Sequence, residues 1–146
     1  MFLSWCVCAA PLALPRAVPA GDRGLLAAIV AGGMAGTLAR LGLAELLPHA
    51  EGGWPWGTLV ANVAGAALLG FVLVRFSSRA PAPSRARALL GTGFCGALTT
   101  FSTLQRELLE MLDAGRGGLA LAYVAVSLVG GLAGVVVAAA LTREER

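Results

Sequence analysis

The chain has 146 residues, of which 58% are hydrophobic and only 13% are charged, and its mean hydropathy is +0.80. A soluble domain carries about 25% charged residues, so this composition favours lipid as the solvent for most side chains. The length allows one compact unit without a second domain. The formal net charge is +3, and the basic residues, all arginines, flank apolar stretches instead of clustering, which argues against a nucleic-acid partner.

Residues 1–23 are predicted to form a poorly ordered N-terminal extension. They are apolar but interrupted by Pro11, Pro15 and Pro19, and no basic residue precedes Arg16. A secretory signal peptide carries a basic segment ahead of its apolar core. A cleaved signal is therefore the less favoured alternative.

Four apolar stretches then approach the length of about 20 residues that a helix needs to cross a membrane. The predicted transmembrane domain, residues 24–142, contains them at roughly 25–47, 57–76, 88–112 and 118–141, and residues 143–146 form a short cytoplasmic tail. The connections are short and rich in glycine and proline, which indicates antiparallel neighbours. The sequence therefore predicts an all-α integral membrane protein with four transmembrane helices.

The second half of the third stretch is unusually polar. Its side chains fall on one predicted helical stripe: Thr99, Ser102, Thr103, Arg106 and Glu107. Such a face has to line protein or water rather than lipid. Neutral donors, with Asn62 of the second stretch, suit a small anion that must be released as well as bound. Hydrogen bonding between helices, without any ligand, is an equally good explanation of these residues.

Glycines precede the polar stripe and recur elsewhere at close spacing. Gly91, Gly93 and Gly96 could loosen the third helix, and a break would free carbonyl groups that only protein, water or a cation can satisfy inside a membrane. A plain small-residue packing face is the alternative. Small residues four apart, which let helices approach closely, occur in three pairs: Gly32 and Gly36, Ala61 and Gly65, and Gly130 and Gly134.

The arginines are distributed unequally between the two sides of the predicted bundle. Four spans place both termini on one side, and that side collects Arg16, Arg23, Arg75, Arg79, Arg85, Arg87, Arg143 and Arg146. On the opposite side only Arg116 lies outside the membrane. By the positive-inside rule, both termini are expected in the cytoplasm of a multi-pass plasma-membrane protein.

Three motifs resemble one known family. Residues 93–103, Gly-Phe-Cys-Gly-Ala-Leu-Thr-Thr-Phe-Ser-Thr, closely resemble the third-helix signature of the CrcB/Fluc fluoride channels. Residues 32–40 and 55–65 resemble the first-helix and second-helix motifs of that family, in the same order and spacing. The resemblance covers approximately residues 25–141.

The resemblance implies an antiparallel dimer of the dual-topology type, with two narrow pores along the subunit boundary and a third helix broken in mid-membrane. Fluoride would be handed along by Asn62, by the hydroxyl groups of Ser102 and Thr103, and by the ring edge of Phe101. An aromatic edge carries partial positive charge, so it can accept an anion without trapping it.

The resemblance also implies a structural sodium ion at the dimer interface, held by the backbone carbonyls of Gly96 and Thr99. Arg40 would sit near a pore entrance and attract anions, although an arginine that extends to the headgroup region explains it almost as well. Export would be passive, because a membrane potential that is negative inside drives an anion outward by about 2.3 kcal/mol per 100 mV. The result is fluoride resistance without enzymatic activity.

Two departures from the family pattern keep further interpretations open. Leu104 stands where the family usually has a second phenylalanine. A leucine at this position would impair any pore that receives it, so a non-conducting partner subunit is the alternative. The arginine imbalance favours a heterodimer with an oppositely oriented paralogue over a homodimer, whose chains should be nearly balanced in charge. A small multidrug-type exporter is the remaining alternative, but residues 24–44 lack the acidic residue it would need.

Overall fold

The computed structural model describes residues 22–77 and 84–144, and within these ranges the chain is helical and contains no β-strand. Three long helices are α1 (Arg23–Leu46), α2 (Trp56–Ser77) and α5 (Gly117–Glu144). Two shorter helices lie between α2 and α5. The first, α3, runs without a gap through Arg85–Arg87, Ala88–Cys95 and Gly96–Leu98, and the second, α4, is Phe101–Asp113.

The three long helices have the length and composition to cross a membrane. The segments Arg23–Leu46, Trp56–Phe76 and Gly117–Arg143 have mean hydropathies of 1.6, 2.0 and 2.4. At most a third of the residues in each apolar window are buried inside the chain. The remaining apolar side chains face outward and require lipid or another chain as their solvent. The protein is therefore a multi-pass, all-α membrane protein.

The third predicted stretch is divided into α3 and α4. Thr99 and Thr100 separate the two helices in an extended conformation, with φ/ψ angles of −76°/149° and −148°/121°. We call these two residues the interruption. Neither α3 nor α4 alone has the roughly 20 residues that a span needs. A fourth crossing made by α3 and α4 together stays a prediction.

The helix before the interruption is wider than an α-helix. Ala88–Cys95, which contains Gly91 and Gly93, has the i→i+5 hydrogen-bond pattern of a π-helix. The sequence indicated a loosened helix around these glycines, and the structure places the change in helical pitch directly ahead of Gly96. The chain then returns to α-helix at Gly96–Leu98 before the interruption.

Glycines bring α1 into backbone contact with α3. A Cβ atom at Gly32 would overlap the carbonyl oxygen of Leu89, and one at Gly36 would overlap the carbonyl oxygen of Phe94. Only glycine permits such an approach without displacing a helix. The predicted role of this small-residue pair as a helix contact is confirmed.

The other two predicted pairs also lie where helices meet. Ala61 is fully buried, and a Cβ atom at Gly65 would overlap the methyl group of Thr99, which places the interruption against α2. A Cβ atom at Gly134 would lie 3.2 Å from the carbonyl oxygen of Val63, because α5 packs along α2. Small residues thus define both faces of α2.

The ends of the helical region differ slightly from the predicted domain boundaries. Asp22 caps α1, since its carboxylate accepts hydrogen bonds from the backbone amides of Gly24 and Leu25. At the other end, α5 continues to Glu144. Most of the predicted N-terminal extension, residues 1–21, lies outside the described residues, as do residues 78–83 and 145–146.

Candidate functional site

Asn62 of α2 binds the interruption with both atoms of its side-chain amide. Its Oδ1 accepts a hydrogen bond from the backbone amide of Thr100 at 2.8 Å, and its Nδ2 donates to the carbonyl oxygen of Thr100 at 3.2 Å. An extended residue between two helices lacks the intrahelical partners of its backbone groups, so Asn62 supplies them. A side-chain amide carries two N–H donors, which leaves one of them for a further acceptor.

Thr100 also starts α4 as its N-cap residue. Its Oγ1 accepts a hydrogen bond from the backbone amide of Thr103 at 3.2 Å and donates one to Thr103 Oγ1 at 2.9 Å. Ser102 Oγ lies 3.4 Å from the same Thr100 oxygen. A threonine N-cap typically satisfies an amide of the first turn in this way. Because Thr103 Oγ1 is the acceptor, its own hydroxyl hydrogen remains available to another group.

The interruption opens into a small depression. The depression is lined by Asn62, Thr99, Thr100 and Phe101 and has a volume of about 240 Å³. Phe101 is 72% exposed, and no acidic side chain contributes to the lining. The first amides of α4 point toward this end of the helix, which carries partial positive charge. The side-chain amide of Asn62 and the N-terminus of α4 therefore lie at the same depression.

The structure brings most of the predicted site residues to this place. Asn62 and Phe101 line the depression, while Ser102 and Thr103 lie in the first turn of α4. The two residues predicted to coordinate sodium lie on either side of the end of α3: Gly96 is exposed, and Thr99 lies in the interruption, where its hydroxyl donates to the Cys95 carbonyl at 2.9 Å.

Arg40 does not line the depression. Its Nε donates a hydrogen bond to the carbonyl oxygen of Ala97 at 3.2 Å, and its side chain is half-buried between α1 and the end of α3. The family resemblance implied that Arg40 lies near a pore entrance and attracts anions, and that role stays a prediction. The contact with Ala97 is a separate feature of this residue.

The predicted polar stripe is not continuous. Arg106 is 65% exposed and forms an ion pair with Glu110 at 2.7 Å, whereas Glu107 is 1% exposed. Consecutive helical residues lie about 100° apart around the axis, so the two side chains point in different directions. The predicted stripe is wrong for Thr99, which lies in the interruption, whereas Ser102, Thr103, Arg106 and Glu107 all lie on α4.

Glu107 instead joins three helices. Thr58 Oγ1 of α2 donates to Glu107 Oε1 at 2.6 Å, and the Tyr123 hydroxyl of α5 donates to Glu107 Oε2 at 2.9 Å. Tyr123 is fully buried, and the Trp54 ring packs edge-on against it with a centroid distance of 5.6 Å. Both carboxylate oxygens are thus hydrogen-bonded, as burial of such a group requires.

Sequence reasoning missed Thr58 and Tyr123. One signal was available, since Tyr123 is the only tyrosine of the chain and stands in an otherwise apolar stretch. A tyrosine hydroxyl buried in a membrane needs a hydrogen-bond partner, and the neighbouring stretch offers two acidic side chains, Glu107 and Glu110. The pairing itself depends on how α4 and α5 pack, which spacing along the chain does not give.

These features define a class of protein: a multi-pass helical membrane protein with a neutral, donor-rich site at a helix interruption. The family model of the CrcB-like protein, Camphor Resistance (CrcB), matches residues 27–139. The chain belongs to this family.

Several relatives are similar over most of their length. The chain is 47% identical over 121 residues to Fluoride-specific ion channel FluC 1 of Mycolicibacterium paratuberculosis, which covers 83% of this chain and 92% of the relative. It is 46% identical over 129 residues to the FluC 1 of Mycobacterium bovis, covering 88% and 98%. It is also 46% identical over 101 residues to Fluoride-specific ion channel FluC 2 of Geobacillus kaustophilus, covering 68% and 78%.

Proposed function

We propose that this chain is a subunit of a fluoride-selective channel that exports cytoplasmic fluoride passively and so confers fluoride resistance. The observation that carries the proposal is one depression lined by Asn62, Thr99, Thr100 and Phe101, with the N-terminus of α4 at its edge and the hydroxyls of Ser102 and Thr103 next to Thr100 Oγ1. Membership of the CrcB family and the names of the relatives support it. Transport down an electrochemical gradient requires neither a nucleotide nor an enzymatic reaction.

The fluoride pathway consists of neutral donors. Fluoride loses its water shell in a narrow path, so the chain has to offer hydrogen-bond donors in its place. The second N–H of Asn62, the hydroxyls of Ser102 and Thr103, and the ring edge of Phe101 are suited to this role. Without a fixed charge among them, a bound anion can leave as readily as it enters.

We further propose an antiparallel dimer as the conducting unit. Phe101 is 72% exposed, and the neighbouring Ser102 is exposed as well. Their own chain therefore leaves much of the surface of these two pathway residues uncovered. A second chain would supply that cover. Leu104, by contrast, packs on the cluster of Leu59, Met111 and Tyr123 within its own chain.

We also propose that the interruption holds the sodium ion implied by the family resemblance. A hard cation prefers oxygen ligands, and carbonyl groups freed at a helix break are a suitable source. The carbonyls of Gly96 and Thr99 give two ligands from one chain, so a second chain has to complete the coordination. We expect replacement of sodium by lithium during purification to lower fluoride flux, and unchanged flux after complete exchange would refute this part.

Growth of a fluoride-sensitive bacterial strain tests the proposed function. We expect expression of the chain, together with its paralogue where one is required, to restore growth in the presence of fluoride. Growth in the presence of chloride should not change. A small multidrug-type exporter would instead give resistance to cationic dyes. Dye resistance without fluoride resistance would overturn the proposal.

A further inference from the structure

One face of α1 lies against the end of α3. Gly32, Gly36 and Arg40 follow one another at intervals of four residues, so they share this face. The two glycines allow backbone contact with α3, because a Cβ atom at either position would overlap a carbonyl oxygen there. Arg40, one turn beyond Gly36, is therefore placed at the same helix interface, where its side chain is half-buried.

The Arg40 side chain reaches the last turn of α3. Its Nε lies 3.2 Å from the carbonyl oxygen of Ala97. In a continuous α-helix, that carbonyl would accept a hydrogen bond from the amide of Phe101, four residues further on. Because Phe101 begins a new helix after the interruption, Arg40 supplies a donor in place of that amide. A positively charged group is also favourable at a helix C-terminus.

Arg40 and Asn62 hold opposite sides of the interruption. Arg40 joins Ala97, the residue two before Thr99, to α1, whereas Asn62 joins Thr100 to α2. The residues proposed to contact fluoride follow immediately in the chain. The position of these fluoride-contacting residues relative to α2 therefore depends on both contacts, the one from Arg40 to Ala97 and the one from Asn62 to Thr100.

We propose that Arg40 is a positioning residue, which fixes the interruption through the hydrogen bond from its Nε to the Ala97 carbonyl. It does not act chiefly as a distant charge that attracts anions. The conduction part of this inference rests on the proposed function, whereas the structural part does not.

Three substitutions separate the donor from the charge. Arg40→Gln places an amide nitrogen the same number of bonds from the backbone as Nε, so it keeps the donor and removes the charge. Arg40→Lys keeps the charge but has a methylene group at the Nε position. Arg40→Met has neither a donor nor a charge at similar length. Arg23→Met, at the exposed start of the same helix, is the matched control.

Fluoride efflux from liposomes is measured for each variant over a range of fluoride and salt concentrations, in the preparation in which the wild type conducts. We expect Arg40→Met to lower the maximal rate about ten-fold or more, since a hydrogen bond with a charged partner exceeds that factor in an equilibrium. Arg40→Gln should rescue most of this loss, and Arg40→Lys should rescue less. The half-saturating fluoride concentration should change little.

The opposite pattern would overturn the proposal. If charge attraction is the main role, Arg40→Lys retains activity, Arg40→Gln resembles Arg40→Met, and the loss is a higher half-saturating concentration that vanishes at high salt. Melting temperatures in detergent give an independent readout, with Arg40→Gln expected above Arg40→Met and Arg23→Met unchanged. Should the wild type release no fluoride in any preparation, the proposed function fails, and the melting order alone decides the positioning role.

Discussion

Asn62 makes two hydrogen bonds with the backbone of Thr100, so its removal has a defined consequence. Asn62→Ala leaves the amide and the carbonyl of Thr100 without these partners. An unpaired buried polar group costs about 1–3 kcal/mol. We therefore expect a lower melting temperature in detergent together with loss of fluoride efflux. Val60→Ala, an exposed position on the same helix, is the control.

A second substitution separates the structural role of Asn62 from its role toward the anion. Asn62→Asp keeps an acceptor for the Thr100 amide and introduces a negative charge at the depression. We expect it to retain more stability than Asn62→Ala and yet to conduct as poorly, because a carboxylate repels fluoride. Fast efflux through Asn62→Asp would show that fluoride does not pass this side chain.

Glu107 gives a prediction about stability rather than selectivity. Glu107→Ala leaves the hydroxyls of Thr58 and Tyr123 without an acceptor, at a cost of about 1–3 kcal/mol for each group. Glu107→Gln keeps the size and one acceptor oxygen, so we expect it to melt well above Glu107→Ala. Glu110→Ala removes only an exposed ion pair of α4, worth at most about 1 kcal/mol. Equal melting temperatures for Glu107→Ala and Glu110→Ala would contradict the structural role of Glu107.

At the scale of elements, the contact between α1 and α3 depends on the absence of side chains. Gly36→Ala would force a methyl group into the Phe94 carbonyl, so the two helices would have to separate. Overpacking of this kind costs about 1–3 kcal/mol. On the same helix, a Cβ atom at Gly33 would have no heavy atom of another element within 4 Å. We expect Gly36→Ala to melt lower than the wild type and Gly33→Ala to melt at or above it.

The sequence predicted the long helices well because each is a nearly uninterrupted apolar stretch bounded by glycine, proline or charge. The break in the third stretch was expected from Gly91, Gly93 and Gly96 and from the family resemblance, and the interruption at Thr99 and Thr100 follows that segment. Which backbone groups remain unpaired there was not predictable. That depends on Asn62 and Arg40, which come from other helices, and spacing within one stretch does not reveal their contacts.

The sequence indicated which residues to consider at the candidate site. It did not indicate how their side chains are arranged in the fold. Asn62 and Phe101 line one depression, and their contact with fluoride stays a prediction. Thr99 does not share a helix with Arg106 and Glu107, because α4 begins only at Phe101. Tyr123 was missed since its partner Glu107 is distant in the sequence and near in the fold.

For the whole molecule, the charge distribution bears on assembly. In the proposed four-span topology the described arginines at or beyond the ends of the spans lie mostly on one side, namely Arg23, Arg75, Arg85, Arg87 and Arg143, against Arg116 on the other. Such a bias favours a single orientation in the membrane. An antiparallel dimer then needs a second chain of opposite bias. We expect the chain to conduct poorly when purified alone and rapidly when it is co-expressed with an oppositely oriented paralogue, and fast efflux from the chain alone would contradict the heterodimer.

Fluoride efflux from liposomes tests the central claim most directly. The chain is reconstituted alone and with such a paralogue in potassium-loaded liposomes, and release of fluoride and of chloride is followed by electrode after valinomycin sets a membrane potential. We predict rapid fluoride release without chloride release in at least one preparation, and its loss in Asn62→Ala. Absence of fluoride release from both preparations, or equal release of chloride, would contradict the claim that this chain belongs to a fluoride-selective channel.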